Sequence, residues 1–467
     1  MRGKVYLVGA GPGKSDLITL RGLNILKEAD VVIYDYLVDR EILQNAKETA
    51  ELVCCDKVAK KGRYSDNSSI QQKNITDLVI EKAKKGKNVI RLKNGNPCIF
   101  SRLHQELDEL IAKKIEFEIV PGITAASAAS SLTGIPLTDR DFASSCVFVT
   151  GVEDPRKNNS SIDWDALAKS GTVVLYMGVG NLETIVKKLL KAGKGKDTDV
   201  AIIQNISLPT QRVLTGALKD IVKKAKRERI KPPAIIIVGK VVSLEKRCNW
   251  LKKNKRVLFT GLSKERFFID GTYFHLPLIK MGPLSDYREF DNYLKGINRF
   301  DWIVFASRYG VEYFFKRLKL IGGDVRALKG IKMAVVGNST KERLLDFGIL
   351  SDLVPKNESS LGLVERFKKE DLSGKKIFMP RSDLSDKGLE KALERLGARV
   401  TTSVAYKNTR EENLPDLDLN FFDEIMFTSP SIVRNFKRRY KKVPKTVKVK
   451  CIGDVTKREA KRCKLLG

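Results

Sequence analysis

The chain has 467 residues, of which 42% are hydrophobic and 31% charged, so it can bury several cores and is not a disordered polypeptide. Its 87 basic and 56 acidic residues leave a net charge of +31, which predicts an anionic partner or a basic surface throughout. No apolar run reaches the ~18–20 residues of a membrane span, and the N-terminus lacks the apolar core of a signal peptide. We therefore expect a cytoplasmic protein with no membrane partner.

The histidine and cysteine content argues against a metal site. Two histidines, His104 and His275, and seven cysteines without CxxC spacing leave no plausible zinc ligand set or Ser-His-Asp triad. Cys54 and Cys55 are adjacent, which is poor spacing for a tetrahedral ion. An arginine-rich tail and zinc-finger spacing are also missing, so we do not expect a nucleic-acid partner.

Short β-branched runs alternate with amphipathic helical stretches along the whole chain. In the first half the predicted strands are VYLVGAG, VVIYDYL, ELVCC, NVIRLK, CVFVTG, TVVLYMG, DVAIIQN and AIIIVG. In the second half they are RVLFTG, WIVFAS, KMAVVG, KIFMPR, EIMFTS and KVKCIG. This alternation predicts an α/β protein with largely parallel sheets. A basic, helix-like segment at 246–255 is predicted to link two modules, 1–245 and 256–467.

A glycine-rich turn at residues 8–15, VGAGPGKS, joins the first predicted strand to a helix and favours close approach of a ligand to the backbone. A dinucleotide fingerprint would need glycine at Lys14, and a phosphate loop would need glycine at Val8. Asp35, after the second strand, keeps a dinucleotide site open as a minor alternative. Further clusters in KNGNP, VPGITAAS and YMG predict a cleft of backbone and small side chains, which suits an adenosyl ligand.

The order of GAGPG, VVIYDYLV, NPCIF, VPGITAASAAS, GIPLT, VTG, VVLYMG, TQR and PPAIIIVG resembles that of uroporphyrinogen-III C-methyltransferase. This is the S-adenosylmethionine-dependent family of tetrapyrrole methyltransferases. The resemblance covers about residues 3–250. It implies a two-lobed α/β module that binds S-adenosyl-L-methionine between its lobes, acts on a small-molecule tetrapyrrole, and forms a homodimer through this domain.

The same resemblance implies roles for individual residues. Asp35 and Lys57 match positions linked to proton transfer, although we expect Lys57 to pair with a substrate carboxylate. Three departures leave a weakened methyltransferase as an alternative: NGNP replaces GGDP, Val152 replaces a histidine, and Ile206 replaces a glycine. The implied cofactor-binding residues are Pro12, Asn94, Gly95, Asn96, Ile99, Thr124, Ala125, Met177 and Ile206.

Hydroxyl side chains follow several predicted strands of the second module, as they do at helix caps and at anion sites. They are Ser307, Thr340, Thr428, Ser429 and Thr456. Two strand–Gly–Thr–helix repeats, AVVGNST and CIGDVT, predict two similar half-domains in which Thr340 and Thr456 cap helices. The repetition favours a carboxylate-binding cleft, with simple capping as the alternative.

The order of FDWIVFASRYGVEYFF, AVVGNSTKERL, VPKNESSLGLVERF, LERLGARVTTSVAYKNTR, IMFTSPSIVRNF and CIGDVTKREA resembles that of uroporphyrinogen-III synthase. This implies a second two-lobed α/β module, with lobes 256–284 plus 405–467 and 285–404. Tyr406 matches a tyrosine that assists loss of the substrate hydroxyl, and Thr456 matches a cleft threonine. The chain stops at CKLLG, where that family continues through another strand and helix, so we expect a short or truncated last lobe.

Together, the two resemblances predict a bifunctional enzyme, because the product of the synthase is the substrate of the methyltransferase. It would cyclise hydroxymethylbilane to uroporphyrinogen III and methylate that twice to precorrin-2, for sirohaem and cobalamin biosynthesis. One alternative is a methyltransferase for another precorrin. Another is a second module that is a non-catalytic basic domain for a tetrapyrrole or a nucleic acid. Both proposed substrates are polyanions, so some of the excess lysine and arginine residues would pair with substrate carboxylates.

Overall fold

The computed structural model describes residues 3–47, 49–55, 68–153, 160–263, 267–412 and 414–466. Its described strands form four β-sheets, two in each half of the chain. Helices alternate with strands from one end to the other, so the predicted α/β class is confirmed. No helix in the described ranges is both long and apolar enough to cross a membrane.

The first sheet contains five parallel strands in the order β3-β2-β4-β1-β5. They are β1 (Val5–Gly9), β2 (Val31–Tyr34), β3 (Glu51–Cys54), β4 (Val89–Lys93) and β5 (Phe117–Val120). The helices of this part are α1 (Leu20–Glu28), α2 (Arg40–Leu43), α3 (Ser68–Lys84) and α4 (Leu103–Ala112). Alternate residues of the strands enter two separate apolar clusters, one on each face of the sheet. Because the strands are parallel, their carboxyl ends meet at one edge.

The second sheet has the order β6-β7-β10-β8-β9 and is mostly antiparallel. Its strands are β6 (Cys146–Thr150), β7 (Thr172–Tyr176), β8 (Asp199–Gln204), β9 (Arg212–Ala217) and β10 (Ala234–Val238). The prediction of largely parallel sheets is therefore wrong here. A connection of seven residues, 205–211, joins β8 to β9 and is too short for a parallel crossover. The helices are α5 (Ala125–Thr133), α6 (Trp164–Lys169), α7 (Leu182–Lys191) and α8 (Ile221–Arg227).

Residues 240–253 fold into three short helical turns rather than an extended chain. They are a 3₁₀ turn (Lys240–Leu244), α9 (Glu245–Cys248) and α10 (Trp250–Lys253). The segment packs on the end of α5, where the Trp250 indole donates to the Ser131 carbonyl at 2.7 Å. Gly134 closes α5 with φ +67°, and a side chain there would overlap the Cys248 carbonyl.

The second half contains a parallel sheet of order β12-β11-β18-β19 and a mixed sheet of order β13-β17-β16-β14-β15. The parallel sheet comprises β11 (Arg256–Phe259), β12 (Thr272–His275), β18 (Glu424–Phe427) and β19 (Lys448–Cys451). The mixed sheet comprises β13 (Ile279–Gly282), β14 (Trp302–Phe305), β15 (Lys332–Val335), β16 (Lys376–Ser382) and β17 (Arg399–Arg410). β13 runs antiparallel to the end of β17, with Ile279 opposite Arg410.

The helices around these two sheets follow the strand ends. They are α11 (Arg288–Lys295), α12 (Arg308–Leu320), α13 (Asn338–Leu345), α14 (Ser360–Phe367), α15 (Gly388–Arg395), α16 (Pro430–Tyr440) and α17 (Asp454–Arg462). The main apolar cluster of the mixed sheet is aromatic: the Phe378 ring lies 5.2 Å from Phe300 and 6.0 Å from Phe290. Phe378 is fully buried, so this cluster is the packing centre of its lobe.

We expect Phe378→Ala to lower the free energy of unfolding by about 3–5 kcal/mol, because it removes a buried ring and leaves a cavity. Urea unfolding of the full chain measures the change. The control is Phe268→Ala, since that ring is 87% exposed and has little packing to lose. Equal stability of the two variants would contradict the placement of Phe378 in the core.

Candidate active-site clefts

A cavity of about 440 Å³ lies between the carboxyl edge of the first sheet and the second sheet. Tyr36 and Leu37 line it from the loop after β2, and Tyr176 lines it from the end of β7. Of the residues implied in cofactor binding, five line this cavity: Pro12, Asn94, Ala125, Met177 and Ile206. The structure thus brings together residues that are up to 194 positions apart in sequence.

The other implied cofactor residues lie in the same loops. Gly95 exchanges backbone hydrogen bonds with Gly11, the shorter being 2.8 Å from the Gly95 amide to the Gly11 carbonyl. Thr124 precedes α5, and its hydroxyl is 2.6 Å from the Tyr176 hydroxyl. Ile99 packs against the apolar cluster beneath α5. These residues therefore support the wall of the cavity.

Three strand-end loops cross in direct backbone contact at Gly9, Gly95 and Gly122. A Cβ atom on Gly122 would lie 2.7 Å from the Gly9 Cα and would overlap the Gly95 carbonyl. Asn96 fastens the crossing, because its side-chain amide donates to the Gly122 carbonyl at 2.9 Å. An ionised aspartate has no proton to donate there, so the departure from GGDP adds a bond at this position.

Asp35, the carboxylate implied in proton transfer, follows β2 at the edge of the cavity. Its Oδ1 accepts a hydrogen bond from the Arg91 guanidinium at 2.6 Å, and its Oδ2 accepts one from the backbone N–H of Asn94 at 3.1 Å. Burial alone would raise the pKa of Asp35, but the charges of Arg91 and Lys93 and these hydrogen bonds lower it. The carboxylate is therefore held in its ionised form.

Behind Asp35, Arg91 belongs to a buried network with two further charges. Its Nε donates to Glu106 Oε1 at 3.1 Å, and Lys93 Nζ donates to Glu106 Oε2 at 2.6 Å. The side chains of Arg91, Lys93 and Glu106 are 4%, 2% and 4% exposed. With Asp35 included, two positive charges balance two negative ones, as burial requires. Burial, followed by the charge of Arg91, lowers the pKa of Lys93.

Sequence reasoning missed Arg91, Lys93 and Glu106 as parts of the site. The available signal was the pair of cations in VIRLK, a strand otherwise predicted to be buried. It also missed Tyr36 and Tyr176, although each adjoins a residue that the resemblance had identified. Lys57, the second residue implied in proton transfer, lies outside the described residues.

The backbone at the rim of the cavity is unusual. Met177 and Asn205 line the cavity and have φ angles of +55° and +50°, and nearby Ser207 has +69°. Non-glycine residues in this region carry strain and cluster at functional sites. The Asn94 Oδ1 is buried without a hydrogen-bond partner among the described residues, and Asn94 also lines the cavity. The site therefore offers an apolar, backbone-built pocket with an available acceptor, which fits a flat ligand bearing N–H groups.

The second module places Tyr406 in β17 with 5% exposure. Its hydroxyl is 2.8 Å from the Ser307 hydroxyl, and its ring stacks on Tyr313 with 5.4 Å between centroids. Burial raises the pKa of Tyr406, which keeps the phenol protonated. Ser307 caps α12, because its Oγ accepts from the Gly310 amide at 3.0 Å.

The capping prediction for Thr340 and Thr456 is wrong. α13 and α17 are preceded at the cap position by Gly337 and Gly453, and both threonines lie inside the first helical turn with 4% and 3% exposure. At α17 the cap favours glycine because Gly453 has φ +77°, a conformation that disfavours a side chain, whereas Gly337 is extended with φ −165°. The threonines instead pack beneath their helices.

Thr428 and Ser429 follow β18, and Ser429 precedes α16, which begins with Pro430. The Ser429 hydroxyl is 3.0 Å from the Ser431 hydroxyl, and Thr428 packs against Gly261. The implied substrate residues thus fall in two groups, at the strand ends of the parallel and the mixed sheet.

Arg308, which sequence reasoning missed, makes a contact between the two lobes. It is the first residue of α12 beside the mixed sheet, and its guanidinium contacts the Ser263 hydroxyl in the loop after β11. It also donates to the Tyr309 hydroxyl at 2.6 Å. A cation therefore lies where the two lobes meet. The described residues contain no group of three or more His, Cys, Asp or Glu side chains suited to a metal ion.

Comparison with known proteins agrees with this two-module arrangement. Two family models match in order: Tetrapyrrole (Corrin/Porphyrin) Methylases over residues 4–222, and Uroporphyrinogen-III synthase HemD over residues 270–465. The porphyrin biosynthesis protein HemD of Ruminiclostridium josui is 33% identical over 99% of this chain and 94% of its own. This chain belongs to the family of that porphyrin biosynthesis protein HemD.

The first half of this HemD-family chain is also similar to separate methyltransferases. The uroporphyrinogen-III C-methyltransferase of Methanocaldococcus jannaschii is 46% identical over 52% of this chain and 98% of its own. The S-adenosyl-L-methionine-dependent uroporphyrinogen III methyltransferase of Methanosarcina barkeri is 43% identical over 52% and 93%, respectively. Both family assignments predicted from the sequence, and the enzyme class that they imply, are confirmed.

We expect Arg91→Met to lower the free energy of unfolding by about 3–5 kcal/mol, because the buried Glu106 and the partly buried Asp35 would lose their shared cation. The lowered pKa of Asp35 stabilises the fold above the pKa of the unfolded state, and this contribution is lost as pH falls through the folded-state value. Without Arg91 this pKa rises, so the loss of stability on acidification that comes from Asp35 should shrink or disappear in Arg91→Met. Urea unfolding across pH 3–8 measures both effects.

The control is Lys85→Met, which removes an exposed cation paired with Glu81 on α3. It should leave the stability and its acid dependence unchanged, because exposed pairs contribute little. If Arg91→Met behaves like this control, the buried network does not stabilise the fold.

Gly122→Ala should weaken cofactor binding at least tenfold, because the new methyl group would force the three crossing loops apart. Calorimetric titration with S-adenosylhomocysteine measures the affinity. Gly195→Ala is the matched control, since a Cβ there meets Thr198 at an ordinary 3.6 Å. Unchanged affinity of Gly122→Ala would contradict the tight crossing.

Proposed function

We propose that this chain cyclises hydroxymethylbilane to uroporphyrinogen III in its second module, and methylates that product twice to precorrin-2 in its first. The observation that carries the proposal is the pairing of the two modules within one chain, which a relative matches along nearly its full length. The first module has a cavity at its strand ends, and in the second module Arg308 contacts Ser263 where the two lobes meet. Release of one product therefore supplies the next substrate.

The cavity of the first module suits S-adenosyl-L-methionine. Pro12, Ala125, Met177 and Ile206 would hold it against apolar walls, and the unpartnered Asn94 Oδ1 would accept from an N–H group. A similar protein carries this cofactor in its name. When bound, the cofactor supplies an electrophilic methyl group.

Asp35 acts on the tetrapyrrole side of the reaction. When a pyrrole carbon takes the methyl group from the sulfonium, S-adenosylhomocysteine leaves and the pyrrole ring becomes positively charged until its nitrogen or a neighbouring carbon loses a proton. The ionised Asp35, held by Arg91, stabilises that charge and can accept the proton. Its lowered pKa makes it a weak base, so charge stabilisation is its larger contribution.

In the second module, Tyr406 supplies a proton or hydrogen bond to the departing hydroxyl of hydroxymethylbilane. The raised pKa keeps the phenol protonated, and Ser307 holds its oxygen in place. Arg308 binds substrate carboxylates where the lobes meet, with help from the hydroxyls of Thr428 and Ser429. Ring closure then depends on how the cleft folds the linear substrate.

The remaining parts of the proposal concern assembly and pathway. We propose a cytoplasmic homodimer formed through the first module, as the resemblance to its family implies. Precorrin-2 would supply sirohaem and cobalamin synthesis through separate proteins. Size-exclusion chromatography with light scattering tests the dimer directly.

The central experiment supplies hydroxymethylbilane with and without S-adenosyl-L-methionine and separates the products by chromatography. Uroporphyrinogen III should form without the cofactor, and a doubly methylated product should form with it. Formation of uroporphyrinogen I alone would exclude the synthase. Isomer III without methylation would exclude the methyltransferase, and methylation of another precorrin instead would reassign its substrate.

Tyr406→Phe should lower kcat for cyclisation at least tenfold, because it removes the proton donor while keeping the buried ring. Methylation of supplied uroporphyrinogen III should stay unchanged, since Tyr406 belongs to the other module. The control is Tyr293→Phe, a ring of the same aromatic core that packs 5.5 Å from Phe378. Cyclisation at the normal rate in Tyr406→Phe would contradict the assigned role.

A further inference from the structure

The edge strand β12 of the second module lies against the glycine-rich loop of the first. The Tyr273 hydroxyl donates to Asp16 Oδ2 at 3.0 Å, and Lys14 Nζ lies 4.1 Å from the centre of the Tyr273 ring. Lys14 also pairs with Asp16 at 2.8 Å. These residues directly follow Pro12, which lines the cofactor cavity. The second module thus contacts the cofactor loop itself.

The same strand makes a deeper contact two residues later. His275, whose side chain is 5% exposed, has its Nδ1 2.8 Å from Glu41 Oε1 and its Nε2 2.6 Å from the Gly261 carbonyl. Glu41 lies in α2, immediately after the segment 35–37. That segment contains Asp35 and two residues that line the cavity. His275 is therefore held in its own module by the contact with Gly261, and through Glu41 it also contacts helix α2 of the first module.

The loop bearing Lys14 is held from inside the first module as well. The Lys14 amide donates to the Ser207 hydroxyl at 2.9 Å, and Gly11 pairs with Gly95. The internal bonds fix the inner side of the loop, and Tyr273 fixes its outer side. A loop held on both sides loses less conformational entropy when a ligand binds to it.

We propose that β12 positions the cofactor-binding loop and the Asp35 segment, with Tyr273 and His275 as positioning residues for methyl transfer. The inference rests on the proposed function of the first module and assigns a further role to the second: it preorganises a site to which it contributes no catalytic group. The fusion would then support methylation structurally, independently of whether intermediate passes between the clefts.

The test uses the full chain with the double substitution Tyr273→Phe and His275→Gln. Affinity for S-adenosylhomocysteine is measured by calorimetry, and KM and kcat for methylation are measured on supplied uroporphyrinogen III. We expect affinity to weaken about fivefold, with KM for the cofactor rising in step and kcat within about twofold, because the contacts order the site without touching the reacting atoms. Cyclisation of hydroxymethylbilane should be unchanged.

A double-mutant cycle tests the deeper contact. Glu41→Ala should weaken affinity in the parent chain but add little in a His275→Gln background, because the two side chains share one bond. Independent effects that multiply would overturn the assignment. Unchanged affinity of Tyr273→Phe/His275→Gln, or an equal fall in cyclisation, would also overturn it.

The failure of the inference and the failure of the proposed function give different results. If the parent chain binds S-adenosylhomocysteine but forms no methylated tetrapyrrole, the proposed reaction fails while the binding cycle still tests β12. If the parent chain methylates and the variants bind as tightly as it does, the inference alone fails. Tyr293→Phe serves as the matched tyrosine control, since it alters a core tyrosine of the mixed sheet.

Discussion

The first module depends on a balance of four charges, three of them buried and the fourth, Asp35, partly exposed. Arg91 bonds to both Asp35 and Glu106, so a single guanidinium connects the segment that follows β2 to the helix α4. Lys93 completes the balance on the same strand. Loss of Arg91 would leave a net negative charge in which Glu106 has Lys93 as its remaining cation, and this costs far more than the loss of a surface pair. The position and ionisation of Asp35 are therefore set by Arg91 and Lys93, which do not line the cavity, together with the backbone amide of Asn94, which does.

The candidate sites of the two modules differ in the chemical groups that form them. In the first, close backbone crossings at Gly9, Gly95 and Gly122 form a compact pocket with few polar side chains. This suits a ligand that is recognised by shape. In the second, Arg308 and hydroxyl groups surround the meeting of two lobes, which suits a flexible polyanion.

All fourteen predicted runs form strands, because each is a short apolar run bounded by glycine or polar residues. The other five of the nineteen described strands were not predicted: β5, β9, β12, β13 and β17. Strand direction in the second sheet could not be predicted, because AIIIV is buried on both faces, and such a strand has the same sequence pattern in a parallel and in an antiparallel sheet. The caps of α13 and α17 were missed because a threonine in the first turn resembles a cap until the backbone angles are known. Asp35 was found by resemblance, whereas its partners Arg91 and Glu106 depend on tertiary contact and gave only a weak local signal.

The parallel sheet of the second module joins distant parts of the chain, with Val257 of β11 beside Glu424 of β18. During synthesis from the N-terminus, β11 has to wait for more than 160 further residues before it gains this neighbour. The first module has all its strands by Val238 and can fold while the rest is being made. The lobe that carries Tyr273 is thus completed late, because its strands pair across a long stretch of sequence and such pairing is slow. A nascent chain would pass through a stage with a folded first module and an unbraced cofactor loop, so cofactor affinity would report when the last strands have joined the sheet.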